Sequence, residues 1–358
     1  MPPEIQRLMR QVAGDENIIS FSGGLPSART FPREQLAQVA GEVLRDGPDE
    51  LLQYGWPEGQ PELRERIARR LARRGLEVSA DDVLITNGAQ DAIGFVIDAL
   101  KAREVQTDAL TYSTALDLFR HRRCESRTSY APLRYAMPAM HNPLGRSLND
   151  AERAECLKNE WIIEDDAYAD LVFDGVAPPS LAVEANDRVF HIGTLSKTVA
   201  PGLRVGWLVA PPAFREKLRV LKNDQDLHSN GLSQAIASKL LVDDDGFEVR
   251  LGQLRSFYAT CADRLVSELA RIPEVKFEAP RGAFSIWVET PFAVEDETAL
   301  RSAVRDFKVS WDAGRLFRTE PKHDDRLAFR LNYSALPAAR FEEGVSRLKR
   351  VLDALGAK

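Results

Sequence analysis

The sequence predicts an α/β protein in which a large, mostly parallel sheet flanked by helices is followed by a smaller C-terminal α/β lobe. Three observations support this prediction. Helical and strand patterns alternate along the 358 residues. Short segments that are apolar on both faces recur through the first two thirds, as in parallel sheets covered by helices. In the last third, the strand segments alternate more between apolar and polar residues, which favours an antiparallel sheet.

Each predicted element has its own signal. Residues 34–45 place Leu36, Val39 and Val43 on one helical face, and residues 61–74 repeat the pattern up to Gly75, a typical helix stop. The other helical patterns cover residues 90–100, 230–242, 247–270, 295–306 and 337–354. The strand patterns cover residues 83–86, 161–166, 189–195 and 205–210 and, in the last third, the segments VKFEA, FSIWVE and LAFRLNYS.

Composition and charge exclude several classes of protein. The net charge of −6 disfavours nucleic acid as the main partner. No apolar run approaches the ~20 residues of a membrane span, and the N-terminal MPPEIQRLMRQ has no apolar signal region. Cys124, Cys156 and Cys261 form no close pair, which fits a reducing compartment. We therefore expect a soluble, cytoplasmic protein of enzyme size, and we expect the arginines of RERIARRLARRG (64–75) to lie on a solvated helix face.

The most informative segment is GTLSKTVAPGLRVGW (193–207), where Lys197 follows a predicted strand. A lysine that a folded loop holds at a strand end is partly desolvated, so its amine loses its proton more easily and can attack an aldehyde. Thr194, Ser196 and Arg204 supply the hydroxyls and the guanidinium that bind a phosphate monoester. Most lysines are solvated surface residues, so this segment alone is not decisive.

A second segment, EDDAY (164–168), follows the strand WII. Carboxylates at the carboxyl end of a parallel strand face the usual ligand crevice of an α/β sheet. Asp165 there can pair with a cationic ring nitrogen, and Tyr168 can reach the same ring. The alternatives are a solvated acidic loop or a metal site, and metal is disfavoured because no histidine lies nearby in the sequence.

Three weaker signals accompany these segments. TNGAQ (86–90) lies between a strand and a helix, where backbone amides form an anion cradle and Gly88 permits close approach. HNPLG (141–145) is a turn signature that can hold Asn142 rigidly. Arg330 lies on an apolar strand, and a buried arginine needs an anionic partner, which is either internal or a ligand carboxylate.

Taken together, these motifs resemble the fold-type I pyridoxal-phosphate enzymes. Within them the sequence is similar to the class I/II aminotransferases, near the α-aminoadipate and kynurenine aminotransferase branch. The resemblance runs from IISFSGGLP (18–26) to the C-terminus, through QYGWPEG, NGAQ, NPLG, EDDAY, GTLSK, PGLRVGW and FRLNYS. It implies an aspartate aminotransferase-like fold with a seven-stranded sheet. It also implies a large cofactor-binding domain at 46–249 and a small domain formed by 1–45 and 250–358.

The resemblance also implies a role for each site residue, with pyridoxal 5′-phosphate as the cofactor. Lys197 would form the Schiff base and transfer the substrate proton, and Asp165 would keep the ring nitrogen protonated. Asn142 and Tyr168 would bond the phenolate oxygen of the ring. Tyr112 would stack on the ring, and Tyr54 would bind the phosphate in the neighbouring subunit. The other phosphate ligands would be Gly88, Ala89, Gln90, Thr194, Ser196 and Arg204. The substrate-binding residues would be Gly24, Asn142 and Arg330.

The implied function is an aminotransferase that moves an amino group from an L-amino acid to a 2-oxo acid in a ping-pong cycle, as a homodimer with shared active sites. One alternative keeps the cofactor and changes the outcome, giving a lyase, cyclase or decarboxylating enzyme of a biosynthetic pathway. Another is a non-catalytic sensor, which would need a DNA-binding segment, and we expect none before the domain.

Two of the departures from the family pattern concern the segment after Tyr112 and the segment before Arg330. Only RHRRCESRTSYAPLRYAMPAM separates the region of Tyr112 from Asn142, about 20 residues fewer than a strand, a helix and a further loop require. We therefore expect that a strand or a crossover is lost or rebuilt there. The second departure is VSWDAGRLFR (309–318), which stands where relatives have a Pro-Gly turn.

Overall fold

The structure, a computed structural model, describes residues 12, 15–320 and 326–356. The N-terminal segment MPPEIQRLMRQ (1–11) lies outside the described residues. The α-helices are α1 (Arg33–Asp46), α2 (Pro61–Ala72), α3 (Ala89–Leu100), α4 (Ser113–His121), α5 (Asp150–Cys156), α6 (Arg215–Asp226), α7 (Gly231–Leu240), α8 (Asp244–Leu269), α9 (Asp296–Ser302) and α10 (Phe341–Gly356). The strands are β1 (Ile19–Ser20), β2 (Val83–Thr86), β3 (Glu104–Gln106), β4 (Glu125–Arg127), β5 (Leu133–Ala136), β6 (Trp161–Asp165), β7 (Val189–Thr194), β8 (Gly206–Val209), β9 (Lys276–Phe277), β10 (Ser285–Ala293), β11 (Val309–Ser310), β12 (Asp312–Ala313) and β13 (Arg326–Asn332).

The central sheet confirms the predicted mostly parallel, seven-stranded architecture. Its strand order is β2-β8-β7-β6-β5-β3-β4. The neighbouring strands pair in parallel except at β8, which is antiparallel to both β2 and β7. The sequence pattern did not distinguish β8 from its parallel neighbours, because a strand buried on both faces is apolar in either orientation.

The shortened segment between Tyr112 and Asn142 forms two strands, with no helix between them. β4 and β5 are both present, on either side of β3, and residues 128–132 connect them without a helix. Thr128 anchors this connection, since its N–H and its hydroxyl both donate to Glu320 Oε1, at 2.7 and 2.9 Å. Both strands of this segment are therefore present, so the expected loss of a strand is not observed.

The C-terminal region forms an antiparallel sheet of order β12-β13-β10-β9, as the alternating pattern predicted. A separate parallel pair joins β1 to β11, so the segment that precedes Gly23 is tied to the C-terminal region. One continuous cluster of buried apolar side chains extends from the large sheet to the smaller one. The helix predicted at 295–306 is divided into α9 and a π-helical turn, Ala303–Phe307.

The prediction of a solvated face for the arginines of residues 64–75 is wrong for Arg70 and Arg74. Arg74 contacts Asp166 at 2.5 Å, and Arg70 lies within 3.4 Å of both Asp170 and Glu248. Long arginine side chains can lie along the protein surface and still reach internal acceptors, which a helical pattern alone cannot show. Among the residues that the structure describes, no helix is long and apolar enough to span a membrane.

Candidate active site

The carboxyl ends of the central strands bring the predicted site residues to one edge of the sheet. Thr86, at the end of β2, and Thr194, at the end of β7, both pair with Gly206 at the start of β8. Asp165 ends β6, and Lys197 follows β7 by three residues. This edge is the usual ligand crevice of an α/β sheet.

Lys197 lies at the centre of the site and is partly buried. Its Nζ donates to the carbonyl oxygen of Gly24 at 3.0 Å and lies 5.4 Å from the centre of the Tyr168 ring. Burial lowers the pKa of the amine, and the charges of Arg330 and Arg204 lower it further, against opposing contributions from Tyr112 and Asp165. A larger fraction of this amine is therefore unprotonated at neutral pH than for an exposed lysine.

Asp165 is a buried carboxylate with defined donors. The Tyr135 hydroxyl donates to Oδ2 at 2.6 Å, and the Ala167 N–H donates to Oδ1 at 3.3 Å. Burial raises the pKa of Asp165, while the bonds from Tyr135 and Ala167 lower it. In its ionised form, the Asp165 carboxylate can therefore accept a hydrogen bond from a donor in the site.

A second layer of charges lies directly behind Asp165. Asp166 pairs with Arg74, and Glu164 accepts bonds from the Ser180 hydroxyl and the Leu181 N–H. Burial raises the pKa of Asp166, although Arg74 opposes the shift. Because each of these buried acids has a partner, residues 164–166 can hold three consecutive carboxylates without leaving any of them uncompensated.

The loop before α3 forms an anion cradle with the turn after β7. Gly88 caps α3 with φ of +95°, and a Cβ at this position would lie 2.6 Å from Arg204 Nη2. Arg204 donates to the Asn87 carbonyl oxygen at 2.7 Å, so its guanidinium lies beside the helix N-terminus. The Ser196 N–H donates to Thr194 Oγ1 at 3.1 Å, and the two hydroxyls are 3.0 Å apart. Ala89 and Gln90 are the first two residues of α3, so their N–H groups have no acceptor within the helix.

Arg330 lies on β13 and is 6% exposed. Its Nη1 donates to Asn142 Oδ1 at 2.7 Å, and its Nε and Nη2 donate to Asp312 Oδ2 at 3.1 and 2.7 Å. A Cβ on Gly24 would lie 3.6 and 3.7 Å from Nη1 and Nη2. The structure therefore gives Arg330 an internal carboxylate partner and also places the guanidinium beside Gly24, whose carbonyl accepts from Lys197.

Two tyrosines complete the surroundings of Lys197. Tyr168 is buried, its hydroxyl would lie 3.7 Å from a Cβ on Gly24, and burial raises its pKa to about 12. Tyr112 directly precedes α4. Burial raises the pKa of Tyr112, the charge of Lys197 lowers it and the charge of Asp165 raises it. Both side chains thus belong to the same electrostatic environment as the amine.

Tyr54 lies on the protein surface. It is 79% exposed and its ring lies 6.1 Å from that of His228, nearly perpendicular to it. The hydrogen bonds that join the other predicted residues do not include Tyr54.

Sequence reasoning missed Tyr135 and Asp312. Tyr135 is on β5 and reaches Asp165 on the adjacent β6, and Asp312 lies opposite Arg330 in the register of β12 and β13. A signal existed for Asp312, because it lies in the segment that departs from the family pattern. Tyr135 had no such signal, since a tyrosine in a short apolar strand is ordinarily a packing residue.

The chain matches the family model described as aminotransferase class I and II over residues 18–133 and 136–348. It is similar to the 2-aminoadipate transaminase of Thermus thermophilus, at 31% identity over 94% of this chain and 91% of the relative. It is also similar to the aromatic-amino-acid aminotransferase 1 of Thermococcus litoralis, at 28% identity over 98% of this chain and 91% of the relative.

Among solved structures, the kynurenine aminotransferase of Pyrococcus horikoshii, in complex with PMP, is similar with a TM-score of 0.89 and 27% identity. The match covers 99% of this chain and 95% of the other. Helix-turn-helix transcriptional regulators of Bacillus subtilis and Escherichia coli also match, at 27% to 30% identity. The similarity thus extends to enzymes and to regulators.

Proposed function

The chain belongs to the family of class I and class II aminotransferases, and on that premise we propose a role for each residue around Lys197. The protein is a pyridoxal-5′-phosphate-dependent aminotransferase that acts on an amino acid and a 2-oxo acid. When bound, the cofactor supplies an electron sink for the bond that breaks at the substrate α-carbon.

The residues of this chain fit a phosphate-bearing ring. The cradle at Gly88 would be filled by a Cβ, and the hydroxyls of Thr194 and Ser196 and the Arg204 guanidinium lie beside the α3 N-terminus. An anion at this position accepts from free N–H groups at the positive end of the helix dipole. We therefore assign the phosphate to the N–H groups of Ala89 and Gln90 and to Gly88, Thr194, Ser196 and Arg204.

Lys197 and Asp165 would act at opposite ends of the ring. The lowered pKa of the Lys197 amine favours its unprotonated form, which can bond to a carbonyl carbon and later move the proton at the substrate α-carbon. The Asp165 carboxylate would accept the N–H of a ring nitrogen and thereby keep that nitrogen protonated. Its bond from Tyr135 stabilises the ionised carboxylate that this role requires.

Asn142, Tyr168 and Tyr112 would hold the ring itself. Since Asn142 Oδ1 accepts from Arg330, the amide nitrogen of Asn142 remains a donor for a phenolate oxygen. Tyr168 keeps its hydroxyl proton at neutral pH because its pKa is about 12, so it is a second donor for that oxygen. Tyr112 would cover one face of the ring.

Arg330 would bind the substrate α-carboxylate beside Gly24. A guanidinium binds a carboxylate through two parallel hydrogen bonds, and fixing the carboxylate selects which bond at the α-carbon stands perpendicular to the ring. Gly24 lies beside both Nη atoms of Arg330. Because glycine has no side chain, it leaves room there for the substrate carboxylate.

The relatives suggest substrate and assembly. Two similar proteins are named as a 2-aminoadipate transaminase and a kynurenine aminotransferase. We therefore propose that this protein acts in amino acid metabolism, in a biosynthetic pathway. We propose a homodimer in which Tyr54 reaches the phosphate of the other subunit. Three free, buried cysteines support a cytoplasmic location.

We also propose the domain division at 46–249 against 1–45 with 250–358. All seven strands of the large sheet lie between Val83 and Val209, and the antiparallel sheet lies between Lys276 and Asn332. Helix α8 crosses the boundary at 249, so this long helix would connect the two domains.

The observation that carries the assignment is the position of Lys197 just after β7, with its Nζ 3.0 Å from the Gly24 carbonyl oxygen and 5.4 Å from the centre of the Tyr168 ring. In the test, the purified holoenzyme is mixed with single amino acids in the absence of an acceptor, and the released 2-oxo acid is quantified. An aminotransferase releases up to one equivalent per active site and then stops until a 2-oxo acid is added. An eliminating lyase would continue to release 2-oxo acid beyond one equivalent, a decarboxylase would release carbon dioxide and an amine instead of a 2-oxo acid, and a sensor would release no product.

The matched variants are Lys197→Ala and Lys197→Arg. Both should lose turnover and the visible absorbance of the covalently attached cofactor, because only the lysine amine can form the bond. Lys197→Arg keeps the positive charge, so it separates loss of the amine from loss of charge. Unchanged cofactor absorbance in both variants would contradict the assignment of Lys197.

A further inference from the structure

Arg330 is paired with a carboxylate inside the protein, Asp312. The two residues lie opposite each other on β13 and β12, in the segment that departs from the family pattern. One carboxylate oxygen, Oδ2, accepts from both Nε and Nη2, and the exposed fractions of the side chains are 6% for Arg330 and 13% for Asp312. This is a nearly dry, forked ion pair on the residue that we assign to the substrate α-carboxylate.

Asp312 also holds the segment in front of Arg330. The Gly23 N–H donates to both carboxylate oxygens of Asp312, at 3.1 and 3.0 Å. The next residue, Gly24, is the one that lies beside Nη1 and Nη2 and accepts from Lys197. A single carboxylate therefore fixes both the guanidinium and the backbone that faces it.

The hydrogen bonds of Arg330 leave one edge of the guanidinium for a ligand. Of its five N–H donors, Asp312 takes the one on Nε and one on Nη2, and Asn142 takes one on Nη1. Each terminal nitrogen keeps one N–H, which is the pair that binds a carboxylate end-on. The near-equal distances from a Gly24 Cβ to Nη1 and Nη2 place this edge toward Gly24. The Phe317 ring lies 4.7 Å from the guanidinium carbon and supports it from another side.

We propose that Asp312 is a positioning residue that holds the Arg330 guanidinium with its Nη1/Nη2 edge toward the substrate α-carboxylate. The proposal rests on the role proposed for Arg330. Without Asp312, the Nε and Nη2 donors lose their partner, and the guanidinium can rotate away from the orientation in which both terminal nitrogens reach one carboxylate. The pose of Arg330 would then have to be restored at each binding event, which weakens substrate binding.

The test compares holoenzyme variants by the split between KM and kcat. Asp312→Ala should raise the KM of the amino donor about ten-fold or more, the size expected for losing bonds to a charged group, with kcat within about three-fold. The inhibition constant of propionate, a carboxylate without an amine, should rise in parallel. Asp312→Asn keeps an acceptor oxygen without the charge and should raise both constants less. If the Asp312→Ala variant does not fold, the Asp312→Asn variant is used for the same comparison.

A double-variant cycle separates the two proposals. Arg330→Ala should raise the KM strongly, and adding Asp312→Ala to it should change the KM by less than about two-fold, because Asp312 acts through Arg330. Asp296→Asn, which alters the partly buried carboxylate at the start of α9 that accepts from the Arg315 N–H, is the control for a general loss of stability. If the Asp312 variants leave KM and the propionate constant unchanged or lower them, or weaken binding equally without Arg330, the positioning role is wrong. If Arg330→Ala itself leaves the KM unchanged, the role proposed for Arg330 fails as well.

Discussion

At the scale of single residues, the site depends on how buried charges are compensated. Asp165 has one side-chain donor, the Tyr135 hydroxyl at 2.6 Å, and one backbone donor, the Ala167 N–H. Burial raises the pKa of Asp165, and these two bonds hold it down. The ionised form of the carboxylate is therefore sensitive to the loss of Tyr135.

We predict that Tyr135→Phe moves the acid limb of kcat/KM to higher pH. The hydroxyl stabilises the ionised carboxylate, so its removal raises the pKa of Asp165 and the protonated, inactive form accumulates at a higher pH than in the wild type. The measurement is the pH profile of kcat/KM at saturating cofactor, together with the dissociation constant of pyridoxal phosphate, which should rise at low pH first.

The control for this prediction is Tyr333→Phe. Tyr333 is equally buried, but its hydroxyl donates to the Gly282 carbonyl oxygen rather than to a carboxylate. Tyr333→Phe removes a hydroxyl and one hydrogen bond, as Tyr135→Phe does, but it should leave the acid limb of kcat/KM unchanged. A profile for Tyr135→Phe that coincides with the wild-type profile would show that the bond to Asp165 does not set the acid limb.

The sequence predicted the residues of the site better than the residues that hydrogen-bond to them. The proposed roles of Lys197, Asp165 and Arg204 come from local segments, where one strand end and its following loop are contiguous in the chain. Tyr135 and Asp312 support the site from neighbouring strands, and their contacts depend on strand order and register. A pattern within one strand does not determine which residue of another strand lies opposite it.

At the scale of elements, the junction of α3 with the turn that carries Arg204 is packed too closely for a side chain. A Cβ on Gly206 would lie 2.7 Å from the Gly88 backbone, and a Cβ on Gly88 would lie 2.6 Å from Arg204. The shape of the cradle therefore depends on these two glycines.

We predict that Gly88→Ala weakens cofactor binding by ten-fold or more and lowers stability. The φ of +95° costs a residue with a Cβ about 1–3 kcal/mol, and the methyl group displaces the Arg204 guanidinium from the cradle. The measurements are the dissociation constant of pyridoxal phosphate and the free energy of unfolding of the apoenzyme.

Gly75→Ala is the matched control. Gly75 has φ of +82°, but a Cβ there would have no atom within 4 Å, so this variant carries backbone strain without displacing a neighbour. It should lose stability and keep its cofactor affinity. Equal cofactor affinity in the two variants would mean that the Gly88 cradle does not hold the phosphate.

The elements also show where prediction from sequence stops. The long helices and the apolar strands β2, β6 and β7 match their predicted ranges closely, because each has a strong period or a buried run. β3 and β4 have three residues each and carry polar side chains, so they have no pattern of their own. They form strands because β5 and its neighbours offer an edge on which to pair.

At the scale of the whole molecule, the segment that carries Tyr54 has unpaired apolar surface. Tyr54 and Trp56 are 79% and 80% exposed, and Leu52 is also exposed. Large aromatic side chains that are this exposed and lie together are typical of a protein interface. The exposure of this segment in a single chain supports the proposed homodimer, in which Tyr54 would act outside its own subunit.

A hybrid dimer tests the shared site directly. In a dimer of one Lys197→Ala chain and one Tyr54→Phe chain, one site would contain both substitutions and the other would contain neither. We therefore predict that differently tagged hybrids, purified after coexpression, have one site with wild-type cofactor affinity and about half of the wild-type activity at low cofactor concentration. The Tyr54→Phe homodimer should bind the cofactor more weakly at both sites, because the hydroxyl that reaches the phosphate is missing. Hybrids in which the only lysine-containing site binds the cofactor as weakly as the Tyr54→Phe homodimer would place Tyr54 in its own subunit. A monomer in sedimentation analysis would reject sharing altogether.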